Sequence, residues 1–176
     1  MARSEVGKLE LQYESTDISQ LVRKIVEKGA PLIWQSSRIE MVADTPSETV
    51  NVLVDPQRLE QVLRNLLHNA VRHTAPGGIV AVEVKVEPEE VLILIKDTGE
   101  GISPKDLPHI WERFYQTERS HTLIDGGAGL GLALVKEWVE EMGGTVSAES
   151  AVNEGSCFTL HLPRSIEYSE DRLLGS

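Results

Sequence analysis

Val91–Ile102, VLILIKDTGEGI, opens with five apolar residues in succession and ends in a short run rich in acid and glycine. The apolar part is too short for a typical helix, and it does not alternate as a half-wet strand does. It therefore predicts a central strand covered on at least one face. Just upstream, Ile79–Val86 (IVAVEVKV) alternates apolar with polar residues, and EPEE joins the two runs, so they form an antiparallel hairpin. Asp97 is the first polar acceptor after the buried run. A carboxylate at that depth suits an amine donor such as the exocyclic amine of adenine. Asp-x-Gly is also ordinary turn chemistry. From this stretch alone both readings stand.

Outward from the hairpin, the pattern alternates between helices and strands without a strict repeat. Lys8–Ser15 (KLELQYES) alternates Leu9, Leu11 and Tyr13 and predicts a strand. Asp17 then caps a helix with Gln20 completing a capping box, and Ile18, Leu21, Val22, Ile25 and Val26 form its stripe. Gly29 and Pro31 are expected to stop it. RIEMVAD and TVNVLVD predict two further strands. Asp55-Pro56 opens a strong helix, PQRLEQVLRNLLHNAVRHT, that ends at APGG. Beyond Gly101 the chain is poorly periodic to Asp125, apart from LPHIWERFYQ. A glycine cluster then leads a helix to Met142, and the strands TVSAES and SCFTLHL follow. Three long helices and a mixed sheet of five or more strands amount to a two-layer α/β sandwich.

Composition narrows the function classes. The formal charge, 17 − 28 = −11, with a pI near 4.9, argues against a nucleic-acid surface. It leaves a nucleotide open, because backbone N–H groups at a helix N-terminus hold phosphate with little net charge. One cysteine, Cys157, fits a reducing compartment. No apolar run approaches the ~20 residues of a membrane span, so a soluble, cytoplasmic chain is expected, as a possible piece of something larger.

Two more groups carry chemistry. On the helix from Pro56, Asn65, Asn69 and Arg72 stand at i, i+4 and i+7, beside the apolar face formed by Leu59, Val62, Leu63, Leu66, Leu67 and Ala70. Amide oxygens are hard ligands suited to Mg²⁺; asparagines at a helix rim also serve neighbouring loops. In DGGAGLGLALVKEW, Gly126, Gly127, Gly129 and Gly131 precede a helical stripe. Such a loop presents unpaired N–H groups to a phosphate, although a flexible hinge reads the same way.

In order, NLLHNAVRHT, DTGEGI and GGAGLGL resemble the N, G1 and G2 boxes of the histidine-kinase ATP-binding domain. WERFYQ resembles its F box, with Trp111 where phenylalanine is usual. The resemblance covers about Leu9 to Pro163 and implies the Bergerat sandwich of gyrase-type and MutL-like proteins, with a mobile ATP lid over about Ser103–Asp125. It implies ATP and Mg²⁺ as ligands, with Asn65, Asn69 and Arg72 as the catalytic set. Asn69 would hold the metal, while Asn65 and Arg72 would meet the phosphates. His73 would lie near the nucleotide and Asp97 would take the adenine amine. Gly99, Gly101 and Ile102 would shape the base pocket with Ser156. Gly127, Ala128, Gly129, Leu130, Gly131 and Leu132 would form the phosphate side.

Relatives that hydrolyse ATP carry a glutamate four residues before the metal-binding asparagine. That position is Asn65 here, and a carboxamide is no general base. Transfer to a protein acceptor is therefore expected over hydrolysis. Kinases of this kind phosphorylate a histidine followed by Glu or Asp. His68, His73, His109, His121 and His161 are followed by Asn, Thr, Ile, Thr and Leu, so none fits. The acceptor is expected on a dimerisation hairpin of a longer, homodimeric kinase, whose exit would be residues 1–8. The ATP-binding domain would span residues 9–163, with a loose tail at 164–176. A response-regulator receiver domain would act downstream, and the parent kinase could be membrane-anchored. Trp111, Phe114 and Tyr115 read as core anchors more readily than as partner contacts. The competing readings are a serine kinase of the anti-sigma type and a non-catalytic nucleotide-sensing module.

Overall fold

A computed structural model describes residues 10–115 and 131–164. Three helices, α1 (Ile18–Ser37), α2 (Pro56–Arg72) and α3 (Gly131–Glu141), accompany seven strands. These are β1 (Glu14–Asp17), β2 (Glu40–Asp44), β3 (Asn51–Val54), β4 (Ile79–Val86), β5 (Glu90–Asp97), β6 (Thr145–Ala151) and β7 (Gly155–Pro163). β1 and β3 form a two-stranded antiparallel sheet. The remaining five run in the order β2-β4-β5-β7-β6, with β2 parallel to β4 and the other pairs antiparallel. The sandwich and the central position of the Val91–Asp97 strand agree with the sequence pattern.

The register explains the core. Val82, Ile95, Phe158 and Ala148 stand opposite one another across β4, β5, β7 and β6. With Ile93, Leu160 and Leu162 they make an apolar face that packs against the buried stripes of the helices. On α2 that stripe is Leu59, Val62, Leu63, Leu66, Leu67 and Ala70, as the spacing required. The opposite face of the sheet is polar at its centre, where Lys96 Nζ lies 2.7 Å from Glu83 Oε2. β5 is thus covered on one face and carries partners on both edges.

Two boundaries differ from the sequence reading. The first strand lies at Glu14–Asp17, later than the alternation of Leu9, Leu11 and Tyr13 suggested. In place of a strand partner, the N–H of Gln12 finds the carboxylate of Asp55 at 2.9 Å, while Leu11 packs on the core. Helix α1 passes through Gly29 and Pro31 and ends only at Arg38, whose φ of 56° is left-handed and whose N–H reaches Trp34 O at 3.0 Å. Proline removes one intrahelical donor. Ala30 and Ile33 nevertheless prolong the packed stripe beyond Val26, and tertiary packing outweighs the local preference.

Candidate nucleotide-binding site

The site begins where the core face of the sheet runs out of apolar residues. One register step beyond Val82–Ile95–Phe158–Ala148 comes the row Val80–Asp97–Ser156–Ser150, on the same face by the two-residue period of a strand. Asp97 is therefore set into the edge of the hydrophobic core and is only 8% exposed. Its Oδ1 accepts the N–H of Gly99 at 2.9 Å and of Ser156 at 3.3 Å. Among the described residues nothing bonds to Oδ2. Burial raises the carboxyl above its ordinary range. The two backbone donors and the His73 ring oppose that rise without cancelling it, and Glu100 adds to it.

The turn after Asp97 is clamped from two sides. The N–H of Glu100 donates to His73 O at 3.1 Å, at the end of α2, and Asn153 N donates to Glu100 O at 2.7 Å from the β6–β7 turn. A side-chain contact repeats the first clamp, with His73 Nδ1 3.0 Å from Glu100 Oε1. Two glycines permit this closeness. A Cβ on Gly99 would sit 2.4 Å from His73 O, and one on Gly101, where φ is +73°, would sit 2.0 Å from Ala151 O. Ile102 N donates to Ser150 Oγ at 2.7 Å, and Ser150 Oγ lies 2.8 Å from Ser156 Oγ. His73, Asp97, Gly99, Gly101, Ile102 and Ser156 are therefore brought together. Ser150 and Glu100 complete the group without having been singled out in the sequence. Only the register of β6 on β7 reveals Ser150, whereas Glu100 lay inside DTGEGI itself.

Asn65, Asn69 and Arg72 follow one stripe of α2, all half-buried, leading toward His73. Among the described residues neither asparagine side chain has a hydrogen-bond partner, so each keeps an amide oxygen available. One such oxygen at Asn69 fits Mg²⁺, which binds through few protein ligands when phosphates and water complete its shell. Gly127, Ala128, Gly129 and Leu130 lie outside the described residues. Gly131 is the first residue of α3, and a Cβ there would meet no described atom within 4 Å. Leu132 packs against the core.

The segment from Ser103 starts as structure. Ser103 Oγ lies 2.9 Å from Asp106 Oδ2, a 3-10 turn follows at Leu107–His109, and Trp111 meets Phe158 edge-on at 5.8 Å. Tyr115 donates to Asp106 Oδ1 at 2.6 Å and stacks on His109. Trp111 is thus the anchor expected. Phe114 is not, being 67% exposed with a left-handed φ of 64°, because the turn between Trp111 and Tyr115 carries it outward. His121 and the rest of the segment to Asp125 lie outside the described residues.

The arrangement sets a buried carboxylate, one of whose oxygens has no partner among the described residues, at one end and a stripe of amides and a guanidinium at the other. Residues 54–166 match the family described as histidine kinase-, DNA gyrase B- and HSP90-like ATPase. Sensor histidine kinase WalK of Bacillus subtilis is 35% identical over 139 residues, 78% of this chain and 23% of that protein. Sensor histidine kinase TmoS of Ectopseudomonas mendocina is 33% identical over 164 residues, 93% of this chain and 17% of that protein. The chain thus spans less than a quarter of the length of either relative. Full-length ShkA in complex with AMPPNP superposes with a TM-score of 0.79 at 32% identity, over 92% of this chain and 33% of that one. The mycobacterial sensor histidine kinase MprB gives 0.72 at 27% identity, over 85% and 97%. The chain therefore belongs to the histidine kinase-, DNA gyrase B- and HSP90-like ATPase family, and within it is an ATP-binding catalytic domain of the sensor histidine kinase kind.

Proposed function

We propose that this chain binds Mg-ATP between α2 and the Asp97–Gly101 turn and donates its γ-phosphoryl group to a histidine on a helical hairpin outside the chain. The observation that carries this reading is the buried Asp97, with one oxygen committed to backbone donors and the other without a described partner. Asp97 accepts the adenine amine. Asn65 and Arg72 orient the phosphates, and Asn69 offers the metal an oxygen, so that Mg²⁺ would neutralise charge on the β- and γ-phosphates. Asn65 cannot take a proton from water, so hydrolysis is slow. In-line transfer requires the acceptor to be held at the γ-phosphate, and proximity supplies much of the rate.

On this reading residues 1–8 end the acceptor hairpin, residues 9–163 are the catalytic domain and 164–176 a tail. The parent kinase is a homodimer acting in the cytoplasm, free or membrane-anchored, and passes its phosphoryl group to a receiver domain. Incubation of the chain with Mg-ATP and the parental hairpin, followed by mass spectrometry, tests it. One histidine on the hairpin should carry an acid-labile, base-stable phosphate, and the chain alone should stay unlabelled. Acid-stable phosphoserine on another protein would favour an anti-sigma kinase. Brisk ATP hydrolysis by the chain alone would overturn the proposal.

A further inference from the structure

The polar row at the end of the core contains a hydroxyl whose bonding is completely assigned. Ser150 Oγ has three neighbours: Ile102 N at 2.7 Å, Gly155 O at 3.0 Å and Ser156 Oγ at 2.8 Å. A serine hydroxyl has one hydrogen and two lone pairs. The Ile102 amide can only donate, so it takes one lone pair. The Gly155 carbonyl can only accept, so it takes the hydrogen. The remaining lone pair is all that Ser150 can offer Ser156, whose own hydroxyl hydrogen must therefore point at Ser150. Ser156 is left with lone pairs and no hydrogen for any other partner.

Ser156 stands directly opposite Asp97 on β7, and its N–H is bonded to Asp97 Oδ1. We propose that Ser150 is a positioning residue that fixes the Ser156 hydroxyl as an acceptor, so that the end of the base pocket presents two acceptors, Asp97 Oδ2 and Ser156 Oγ, and no hydroxyl donor. An amine at the six position of a purine has two hydrogens and satisfies both. A carbonyl at that position meets lone pairs on both sides. Selection of adenine over guanine is thereby shared between a carboxylate and a hydroxyl held in one orientation from outside the pocket. This rests on the adenine-binding reading of Asp97. It adds that a residue on β6 controls the discrimination.

Calorimetric titration of the full chain with ADP and GDP tests the inference on wild type, Ser150→Ala, Ser150→Thr, Ser156→Ala and Asp97→Asn. Ser150→Ala releases the Ser156 hydrogen, which can turn to a guanine carbonyl. The ADP preference should narrow about tenfold, the worth of one redirected hydrogen bond, with GDP affinity rising. Ser150→Thr keeps the hydroxyl and should keep the wild-type ratio. Ser156→Ala removes the second acceptor and should narrow the ratio by weakening ADP without improving GDP, which supplies a second reading if Ser150→Ala does not fold. Equal weakening of both nucleotides in Ser150→Ala would show a purely structural role and overturn the proposal, as would an unchanged ratio in Ser156→Ala. If wild type does not prefer ADP, or Asp97→Asn binds it as well as wild type, the adenine reading itself fails.

Discussion

Asp55 and Asp97 are alike in position and opposite in electrostatics. Asp97 is the last residue of β5 and Asp55 directly follows β3; each is 8% exposed, and each accepts hydrogen bonds from the backbone. At Asp55 both oxygens are committed: Oδ1 to the N–H groups of Gln57 and Arg58 at the head of α2, and Oδ2 to the N–H of Gln12. Burial pushes its carboxyl up, but those three donors and the Arg58 charge outweigh burial and hold it below its ordinary value. At Asp97 the donors reach one oxygen only, and burial prevails. Asp55 is finished by the fold. Asp97 keeps one oxygen without a described donor. Counting donors on each oxygen separates a structural carboxylate from the one proposed to bind, where burial alone does not.

The largest expected effect tests how tightly the Asp97 corner is built. Gly155 has φ +102°, and a Cβ there would lie 2.0 Å from Asp97 O. Gly155→Ala should cost about 3 kcal/mol or more, through backbone strain and overlap together, measured by denaturant unfolding. Among the described residues no comparable glycine guards Asp55, so a mild result at Gly155 would break the contrast.

Next, Asp97→Asn should weaken ATP binding by about 1–3 kcal/mol, the worth of a charged hydrogen bond. The folded, ligand-free protein should become more stable at neutral pH, because a disfavoured charge is removed while an oxygen remains for Gly99 and Ser156. A fall in melting temperature with unchanged affinity would make Asp97 a second Asp55. Conversely, Asp55→Ala should cost about 1–2 kcal/mol of stability through the lost cap and leave the affinity of the folded protein for ATP unchanged.

The smallest effect is the dependence on pH, and its sign differs between the two corners. Asp55 is lowered in the fold, so its stabilisation is full above the ordinary carboxylate value and is lost as pH falls through it toward the lowered one. Asp97 is raised, so its cost is absent below the ordinary value and grows as pH climbs through the raised one. In paired melting curves the advantage of Asp97→Asn should therefore shrink on acidification toward the ordinary carboxylate range, while the deficit of Asp55→Ala should shrink only as the solution becomes more acidic still. Parallel behaviour of the two variants would undo the comparison.

Much of this was legible in the chain because it depends on local chemistry. Asp55-Pro56 declares a helix start whatever surrounds it, and the unbroken Val91–Ile95 run declares a covered strand. Asn65, Asn69 and Arg72 share a stripe by helical arithmetic alone. What stayed hidden depends on contacts between distant segments. Pro31 reads as a stop until Ala30 and Ile33 are seen packed against the core. Tyr13 and Leu11 read as strand residues until Gln12 is seen bonded to Asp55 rather than to a neighbouring strand. Ser150 is an ordinary strand residue until the register sets it opposite Ser156. Phe114 looks like an anchor because its aromatic neighbours are, and only the path of the turn shows otherwise.

The position of β5 also bears on how a nucleotide enters and leaves. The strand carrying Asp97 has a hydrogen-bonded neighbour along each edge, β4 on one side and β7 on the other. Freeing it means rupturing two ladders and parting the sheet, an event that belongs to global unfolding rather than to local fraying. Amide protons of Ile93 and Ile95 should then exchange with deuterium among the slowest in the molecule, with or without ligand. On the proposed reading of Asp97, the wall against which the base lies is a fixed jaw, held by both neighbours of its strand.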